Sequence, residues 1–449
     1  MFKNYNQNQI QLLPANLNQS LPADHLARLI SQAVDGMDTS AIEHSYSYQG
    51  QHAYHPKMLI KVLVYGYAVG IRSSRKLADR LNEDLVFMWL SGRQTPDFRT
   101  IADFRKAKLI DIKVLFVQIL ALCQDLGMVR VGKVSFDGTK MKADASGSRM
   151  LYRKVLNKRR DRIKELVDDI FDEAENLDRE EEKLLGDSTE HRITGLDLKK
   201  VEQKLNKLKK RKRTLAKAEM KLKAKEEDIN QKLRSMRQDR NSMSATDKHA
   251  TLMKMKEGHF APAYNVQIAT ENQVILAYGV SSNRNDQRLL KPMLKEVKDN
   301  TGFYPKTAIT DCGYGTKANW RFLKQEKIVA FVPYNNIKQE LSLWRQGVKP
   351  EPPKRIDKEL AKYKLLQKLR YLSARGKQMM ERRRKDVEPT FGNLKRNLNF
   401  RHFHLRGKPK CLMELGLVSI AHNLKKIKSH LLKTFKTNLT TAQLVQIPC

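Results

Sequence analysis

The stretch Val131–Ala143, VGKVSFDGTKMKA, decides the fold class, because its polar and apolar residues alternate as in a β-strand. Four further strand patterns lie far downstream, and helical patterns precede and follow them. These four segments are Tyr264–Ala269, Val274–Val280, Thr307–Thr310 and Ile328–Pro333. The sequence therefore predicts an α/β protein whose sheet is assembled from distant parts of the chain.

The strand patterns are interrupted by Leu151–Arg240, which is very highly charged and has almost no glycine or proline. Apolar residues recur every seven positions in both halves of this stretch, as in a coiled coil. The two series are Leu156, Ile163, Ile170, Leu177 and Leu184, then Val201, Leu208, Leu215, Leu222, Ile229 and Met236. With Gly186–Gly195 as a turn, they predict an antiparallel coiled-coil hairpin. The heptads fit a hairpin within one chain and a dimer contact equally well.

Several short helices are predicted before the first strand. Pro56 suits a first helical position, and Thr95-Pro96-Asp97 is a strong helix start. The predicted helices include Ser74–Leu81, Asp84–Leu90, Phe98–Lys106 and Leu109–Leu126. Short helices joined by polar turns fit a helix-turn-helix DNA-binding unit and a generic helical bundle about equally.

The charge balance points to a polyanionic partner. The 449 residues include 86 Lys and Arg against 49 Asp and Glu, which gives a formal net charge of +37. Such a balance excludes a typical metabolic enzyme and favours DNA or RNA over an anionic membrane surface. The hydrophobic content of 40% is too high for a disordered basic tail.

Part of this charge is concentrated in Lys199–Arg213, where nine basic residues stand against the single acid Glu202. Most such charges solvate a helix surface, but this imbalance exceeds what pairing with a neighbouring helix is expected to neutralise.

Cysteine usage and hydropathy indicate the cellular compartment. The four cysteines form no C-x-x-C pair, which argues against a zinc ribbon or a disulfide framework and favours a reducing compartment. The N-terminus has no apolar signal region, and stretches such as Met58–Val69 are too short to span a bilayer. We expect an intracellular, soluble protein with no membrane partner.

Three acidic residues are candidates for chemistry. Asp137 ends an apolar strand segment, Asp311 lies between a buried strand and a glycine-rich turn, and Glu388 lies in a strongly basic helix. A carboxylate at the edge of a buried strand is costly unless a cation neutralises it, and Mg²⁺ binds such groups. Taken singly, each aspartate is better explained as a cap or turn residue. Taken together in so basic a protein, the three favour a two-metal site for phosphodiester cleavage.

The helix around Glu388 adds a geometric expectation. At 100° per residue, Arg384, Glu388 and Lys395 fall within about 40° of one another on one face. Such a face would present a carboxylate between two cations that can hold DNA phosphates. The alternative is an i,i+4 ion pair between Arg384 and Glu388 on a solvated helix.

Other polar residues have simpler interpretations. We expect Asp144 to lie at the surface and Asp286 to cap the helix that follows it. His402 and His404 could contact DNA, but partly buried histidines are commoner.

The motifs together resemble those of a known family. The spacing Arg384-x3-Glu388-x6-Lys395 matches a Y-x2-R-x3-E-x6-K signature, with Glu381 in place of the tyrosine. The blocks Phe136-Asp137-Gly138-Thr139 and Thr310-Asp311-Cys312-Gly313-Tyr314 match the two aspartate motifs. The chain thus resembles DDE transposases of bacterial insertion sequences, in the insertion-sequence-four superfamily and its insertion-sequence-eleven-eighty-two branch.

This resemblance implies an RNase H-like α/β core with an N-terminal helical domain and an inserted antiparallel coiled-coil hairpin. It implies that Asp137, Asp311 and Glu388 are catalytic and bind Mg²⁺, with Mn²⁺ as the alternative. DNA contacts are expected from Arg383, Arg384, Lys395 and Arg396. The expected partners are the terminal inverted repeats and target DNA, bound by a homodimer in the bacterial cytoplasm at the nucleoid.

The predicted domains follow from the same patterns. They are residues 1–130 for DNA-end binding, 131–150 and 247–335 for the two parts of the catalytic core, 151–246 for the hairpin, 336–376 for a basic connector, 377–432 for the catalytic and C-terminal helices, and 433–449 for a tail. Two alternatives remain at this point: a nonenzymatic basic nucleic-acid-binding protein, and a nuclease on the same fold that cuts DNA without joining it.

Overall fold

The computed structural model describes residues 16–46, 53–108, 112–190, 195–236, 241–346 and 357–444. The chain divides into two compact units, one made of Met1–Ala145 with Met253–Cys449 and the other of Ser146–Leu252. The α-helices of the described residues are α1 (Leu17–Ser20), α2 (Leu26–Asp35), α3 (Ser40–Glu43), α4 (Pro56–Ala68), α5 (Ser74–Glu83), α6 (Leu85–Ser91), α7 (Phe98–Asp103), α8 (Ile112–Asp125), α9 (Arg153–Glu190), α10 (Gly195–Ser235), α11 (Leu290–Thr301), α12 (Lys317–Gln325), α13 (Ile337–Arg345), α14 (Lys358–Leu372), α15 (Ala374–Gly392) and α16 (Lys408–Leu444).

The first unit is built on a mixed sheet. The strands of the chain are β1 (Lys133–Lys142), β2 (Met150–Tyr152), β3 (Ser242–Ser244), β4 (Thr251–Lys254), β5 (Phe260–Glu271), β6 (Val274–Ser281), β7 (Thr307–Ile309) and β8 (Val329–Phe331). Six of them form a sheet of order β4-β5-β1-β7-β8, in which β6 also pairs with β5. β5 is antiparallel to β1 and β6, whereas β7 and β8 continue parallel to β1. The predicted α/β class is confirmed.

All five predicted strand segments are strands, because their patterns match their burial. In β5 and β6 the apolar residues Tyr264, Val266, Ile268 and Leu276 are fully or almost fully buried. β1 pairs with strands on both edges, so it lies inside the sheet. This position fixes the register of the residues that follow Phe136.

The N-terminal helices are formed as predicted, with local caps that explain their starts. Pro56 is at the first turn of α4, the Asp84 side chain accepts from the backbone N–H of Val86 at the start of α6, and Asp97 caps α7 through Thr100. Helix α2 was not predicted, although Ile30 in it is completely buried. The first residues of the predicted helix Leu109–Leu126 lie outside the described residues.

A buried ion pair ties these helices to the C-terminal helix. Arg72 donates to Glu414 in α16 at 3.2 Å, and the two side chains are 2% and 0% exposed. Glu414 also accepts from the backbone N–H groups of His404 and Leu405. Arg105 donates to the carbonyl oxygen of Arg72 at 2.7 Å. The network joins residues from both ends of the chain, and the carboxylate oxygens in it are satisfied.

The second unit contains the two longest helices, α9 and α10, and the short sheet β2-β3. Leu156 packs with Ile229 and Met236, and Arg211 pairs with Glu173 at 2.6 Å, so the helices are antiparallel. α9 extends to Glu190 and therefore covers half of the predicted turn, while residues 191–194 lie outside the described residues. A helical hairpin is thus present, and knobs-into-holes packing stays a prediction.

The C-terminal part of the first unit is more helical than predicted. The segment 336–376 was predicted as a connector but contains α13 and α14. Its proline cluster, residues 349–354, lies outside the described residues. Within the described ranges, none of the helices has the length and apolar character needed to cross a membrane.

Candidate active site

Two aspartates from distant segments meet on the first unit's sheet. Ser135 of β1 pairs with Ile309 of β7 in parallel register, so Asp137 and Asp311, two residues further on, lie level with each other. Burial raises the pKa of Asp137 to about 6, against the opposing effect of Arg383, and the charge of Asp311 raises it further. Burial also raises the pKa of Asp311. Burial is thus the main cause of both raised pKa values, and Arg383 opposes it in both.

Arg383 of α15 supplies the one cation seen to bridge the predicted carboxylates within the described residues. Its Nη1 donates to Oδ2 of Asp137 at 3.0 Å, and its Nη2 donates to Oε1 of Glu388 at 3.3 Å. The Glu388 side chain is 52% exposed, whereas that of Asp137 is 18% exposed. The structure thus brings Asp137 and Glu388 to the same guanidinium, and Asp311 is close enough for Arg383 to lower its pKa.

A proline explains how α15 is attached to the sheet. Pro389 lies inside the helix and has no N–H, so the carbonyl oxygen of Lys385 has no donor four residues on. The side chain of Gln273, in the turn between β5 and β6, donates to that oxygen at 2.9 Å. The backbone N–H of Gln273 donates to the buried Asp386. The β5–β6 turn therefore replaces the missing helix bond and fixes α15 beside β1.

The predicted cationic face is altered by a π-helical turn. Residues Asn393–Asn397 are π-helical, so the 100° spacing does not continue to Lys395. Lys395 donates to Thr139 Oγ1 at 2.5 Å, on the same face of β1 as Asp137. Arg384 and Arg396 are exposed. Arg383 rather than Arg384 contacts the carboxylates.

Glu381, at the position of the signature tyrosine, is exposed and pairs with Lys385 at 2.6 Å. Lys385 lowers the pKa of the Glu381 carboxyl, and among the described residues the Glu381 side chain makes no hydrogen bond or ion pair with Asp137 or Arg383. The tyrosine position is thus occupied by a surface ion pair.

The opposite face of β1 is covered by a layer of polar side chains that were not predicted from the sequence. Gln267 and Asn265 of β5 pair with Gly138 and Lys140, and both donate to Asp286 Oδ1 at 2.7 Å. A Cβ on Gly138 would meet the Gln267 amide at 2.1 Å, so a larger residue there would displace the Gln267 side chain from its present position. The prediction that Asp286 caps a helix was wrong, because its side chain binds the sheet while α11 begins at Leu290.

Tyr314 links this layer to the aspartates. Its hydroxyl donates to Gln267. Burial, followed by the charges of Asp286, Asp137 and Asp311, raises its pKa well above the usual value. The hydroxyl stays protonated and holds the Gln267 amide in a fixed orientation. Alternation of buried polar residues in Tyr264-Asn265-Val266-Gln267 is the sequence signal that could have revealed the layer.

The other predicted residues have mainly structural contacts. Asp144 is partly exposed and pairs with Arg406 at 2.8 Å, in agreement with its predicted surface position. His404 stacks on His402 with centroids 4.8 Å apart, and burial lowers the pKa of His404 to about 4. Of the basic run in α10, Arg211 pairs with Glu173 and Lys212 with Asp178 and Glu181.

The carboxylates are candidate ligands for a metal ion. In the part of the chain that the structure describes, no group of three or more His, Cys, Asp or Glu residues is arranged to hold a metal ion. The donor chemistry of Asp137 and Asp311 nevertheless fits Mg²⁺, which is commonly held by one or two carboxylates and retained waters. The Glu388 carboxylate is paired with Arg383 through Oε1, so its role as a third metal ligand stays a prediction.

Family comparisons agree with this geometry. Residues 15–107 match a model described as a transposase domain (DUF772), and residues 235–424 match one described as a transposase DDE domain. The second range contains Asp311 and Glu388 and begins after β1, which carries Asp137. Neither a curated protein nor a solved structure matches the chain significantly. Two segments of the chain are therefore similar to transposase domains, and the second of them is similar to a DDE domain.

Proposed function

We propose that the protein is a DDE transposase of a bacterial insertion sequence, similar to the insertion-sequence-eleven-eighty-two branch. In this proposal it binds the terminal inverted repeats, cleaves DNA at the transposon ends with Mg²⁺ or Mn²⁺, and transfers the strands to target DNA. It acts as a homodimer in the cytoplasm, at the nucleoid. The N-terminal helices of residues 15–107 recognise the transposon end.

One observation carries the proposal: Asp137 in β1 and Asp311, two residues after the end of the parallel neighbour β7, come from segments separated by the hairpin and both have raised pKa values. The order β6-β5-β1-β7-β8, with three antiparallel strands followed by two parallel ones, supports an RNase H-like core. Perturbed carboxylates beside cations on such a core favour phosphodiester chemistry over simple DNA binding.

In this proposal each residue of the site has a separate role. Asp137 and Asp311, with Glu388 as the third carboxylate, would hold a divalent cation, which would supply charge neutralisation at the scissile phosphate and activation of water. Arg383 holds Asp137 and Glu388 in place and compensates part of their charge. Arg384 and Arg396 are exposed and would contact DNA phosphates, and Lys395 would do so beside Thr139. Most of the catalysis is positioning and electrostatic stabilisation.

The test is a cleavage and strand-transfer assay on DNA carrying the element's ends. Asp137→Asn, Asp311→Asn and Glu388→Gln are each expected to lower cleavage by at least about 100-fold, the scale of losing one transition-state contact. Binding to the ends should remain within about threefold of wild type, since the acids make no attractive contact with phosphate. Glu359→Gln, which removes a carboxylate from a surface ion pair with Lys317 and Arg321, is the matched control, and it should cleave normally.

Wild-type levels of cleavage in all three variants would refute the assignment. Cleavage without joined products would favour the nuclease alternative. End binding that is indifferent to a metal chelator, with no cleavage at all, would favour the nonenzymatic binding protein.

A further inference from the structure

Cations also converge beside the site, around the turn that joins β5 to β6. Two adjoining cavities of about 460 and 370 Å³ share Asn272 and Gln273 in their walls. We name the basic side chains that line them the basic groove: Lys133, Arg382, Lys385, Lys426, His430 and Lys433. Because these groups are spread over two cavities, they suit a repeating polyanion better than a single small anion.

The turn that supports the groove is rigid. Asn272 and Gln273 both have positive φ, 55° and 64°, as in a type I′ hairpin turn. Arg382 donates to Asn272 Oδ1 at 2.9 Å, and Asn272 donates to the carbonyl oxygen of Met128 at 2.9 Å. Together with the Gln273–Lys385 bond, these contacts connect the turn to α15 and to the segment before β1.

The acids in the groove compensate only part of its charge. Glu381 pairs with Lys385, and Asp386 is buried under the Gln273 backbone. Burial lowers the pKa of Lys426, and the nearby charge of Lys433 lowers it further. Like charges held this close favour the approach of an anion.

The groove is in line with the carboxylates. Lys133 lies four residues before Asp137 on the same face of β1, a distance of about 13 Å at the usual rise of a strand. Lys385 lies three residues before Glu388, about 4.5 Å along α15. A duplex covers about 13 Å in roughly four base pairs, so one continuous segment can reach both places.

We propose that the basic groove binds the phosphate backbone of duplex DNA next to the segment held at Asp137 and Asp311. Its use in transposition rests on the proposed function, but the binding itself does not. The groove contacts are separate from those assigned to Arg384, Lys395 and Arg396.

The test uses the full chain and a fluorescent duplex of random sequence. One variant combines Lys133→Gln, Lys385→Gln and Lys433→Gln, all at exposed positions. A control variant removes the same charge at exposed lysines elsewhere in the first unit, by Lys295→Gln, Lys324→Gln and Lys338→Gln. Binding is measured over a range of salt concentrations, and thermal unfolding verifies that each variant is folded.

Each lost phosphate contact lowers the slope of log K against log salt by about one, so the groove variant should lose about three. The control variant should keep the wild-type slope, and a groove variant with Lys→Arg at the same three positions should keep it as well. Equal losses in the groove and control variants would overturn the proposal.

This outcome is independent of the proposed function. A wild-type protein that fails to cleave, together with a reduced slope in the groove variant, would leave the groove standing and refute the transposase chemistry. Normal cleavage by the wild type, together with the same salt slope in the groove variant and the wild type, would support the transposase chemistry and refute the groove.

Discussion

Two of the arginine–carboxylate pairs that join distant parts of this chain differ in how well their charges are satisfied. In the Arg72–Glu414 pair the carboxylate accepts from the guanidinium and two backbone N–H groups, and both side chains are almost completely buried. In the Arg383–Asp137 pair the guanidinium is shared with Glu388, and Asp311 adds a further negative charge nearby.

The difference separates a structural role from a chemical one. Substituting one partner of a fully hydrogen-bonded buried ion pair is strongly destabilising, because the other charge is left unpaired and out of reach of water. Burial raises the pKa of Glu414 as well as those of Asp137 and Asp311, so the raised values alone do not separate the two sites. The difference is that the site with more carboxylates than cations can accept an additional cation. The same pair of residue types therefore stabilises the fold in one place and provides a candidate cation site in the other.

The largest effect is expected when the Arg72–Glu414 pair is broken. Glu414→Gln leaves the Arg72 charge buried and unpaired, and should lower the free energy of unfolding by about 3–5 kcal/mol. Urea denaturation measures this. The control is Asp35→Asn, which breaks the more exposed Lys61–Asp35 pair and should cost less than about 1 kcal/mol. Similar losses in both variants would show that the burial of the Arg72–Glu414 pair is not what matters.

A smaller effect, on the pH dependence of stability, is expected at the Arg383–Asp137 pair. Since the pKa of Asp137 is about 6 in the folded protein, against an ordinary value of 3.8, the folded state holds this proton more tightly than the unfolded state. Its contribution to stability therefore falls as pH rises from about 4 to 6, by at most about 3 kcal/mol. Asp311, whose pKa is also raised, contributes with the same sign.

The measurement is urea denaturation of wild type and Asp137→Asn across this pH range, with a chelator present. The stability of the variant relative to wild type should increase with pH and reach its plateau above about pH 6. A difference that decreases with pH would mean that Arg383 outweighs burial at Asp137.

The smallest effect concerns the attachment of α15. Gln273→Ala removes the donor to the Lys385 carbonyl oxygen and should cost about 1–2 kcal/mol in unfolding free energy. Pro389→Ala restores a helical N–H for that oxygen, so the Gln273→Ala cost should shrink when both changes are combined. A double-mutant cycle measures the coupling, expected at about 0.5 kcal/mol or more. Strict additivity would show that the two groups do not compensate for each other.

Patterns local in sequence predicted much of this architecture. Alternation in Val131–Ala143 marked β1, and the proline at position 56 marked the start of α4. The hairpin helices followed from their apolar spacing. Contacts that depend on the partner segment could not be predicted in this way. Asp286 looked like a cap because its actual donors, Asn265 and Gln267, belong to another strand.

The candidate site shows the same limit. The positions of Asp137, Asp311 and Glu388 followed from motifs, but helical spacing favoured Arg384 as the cation beside Glu388. The ion pairs of Arg383 depend on how α15 is docked, and docking depends on Pro389 and Gln273. The π-helical turn at Asn393–Asn397 then shifts Lys395 out of the ideal series.

The position of β1 before the hairpin has a consequence for synthesis on the ribosome. Both strands that pair with β1 are translated after the whole second unit. The hydrogen-bonding groups on both edges of β1 therefore stay unpaired while that unit emerges. Pairing of such distant segments is slow. The acids at positions 137 and 311 cannot meet until β7 leaves the exit tunnel, and α15 follows later still. A chain cut short during translation would therefore lack the paired aspartates, and on the proposed function it could not cleave DNA.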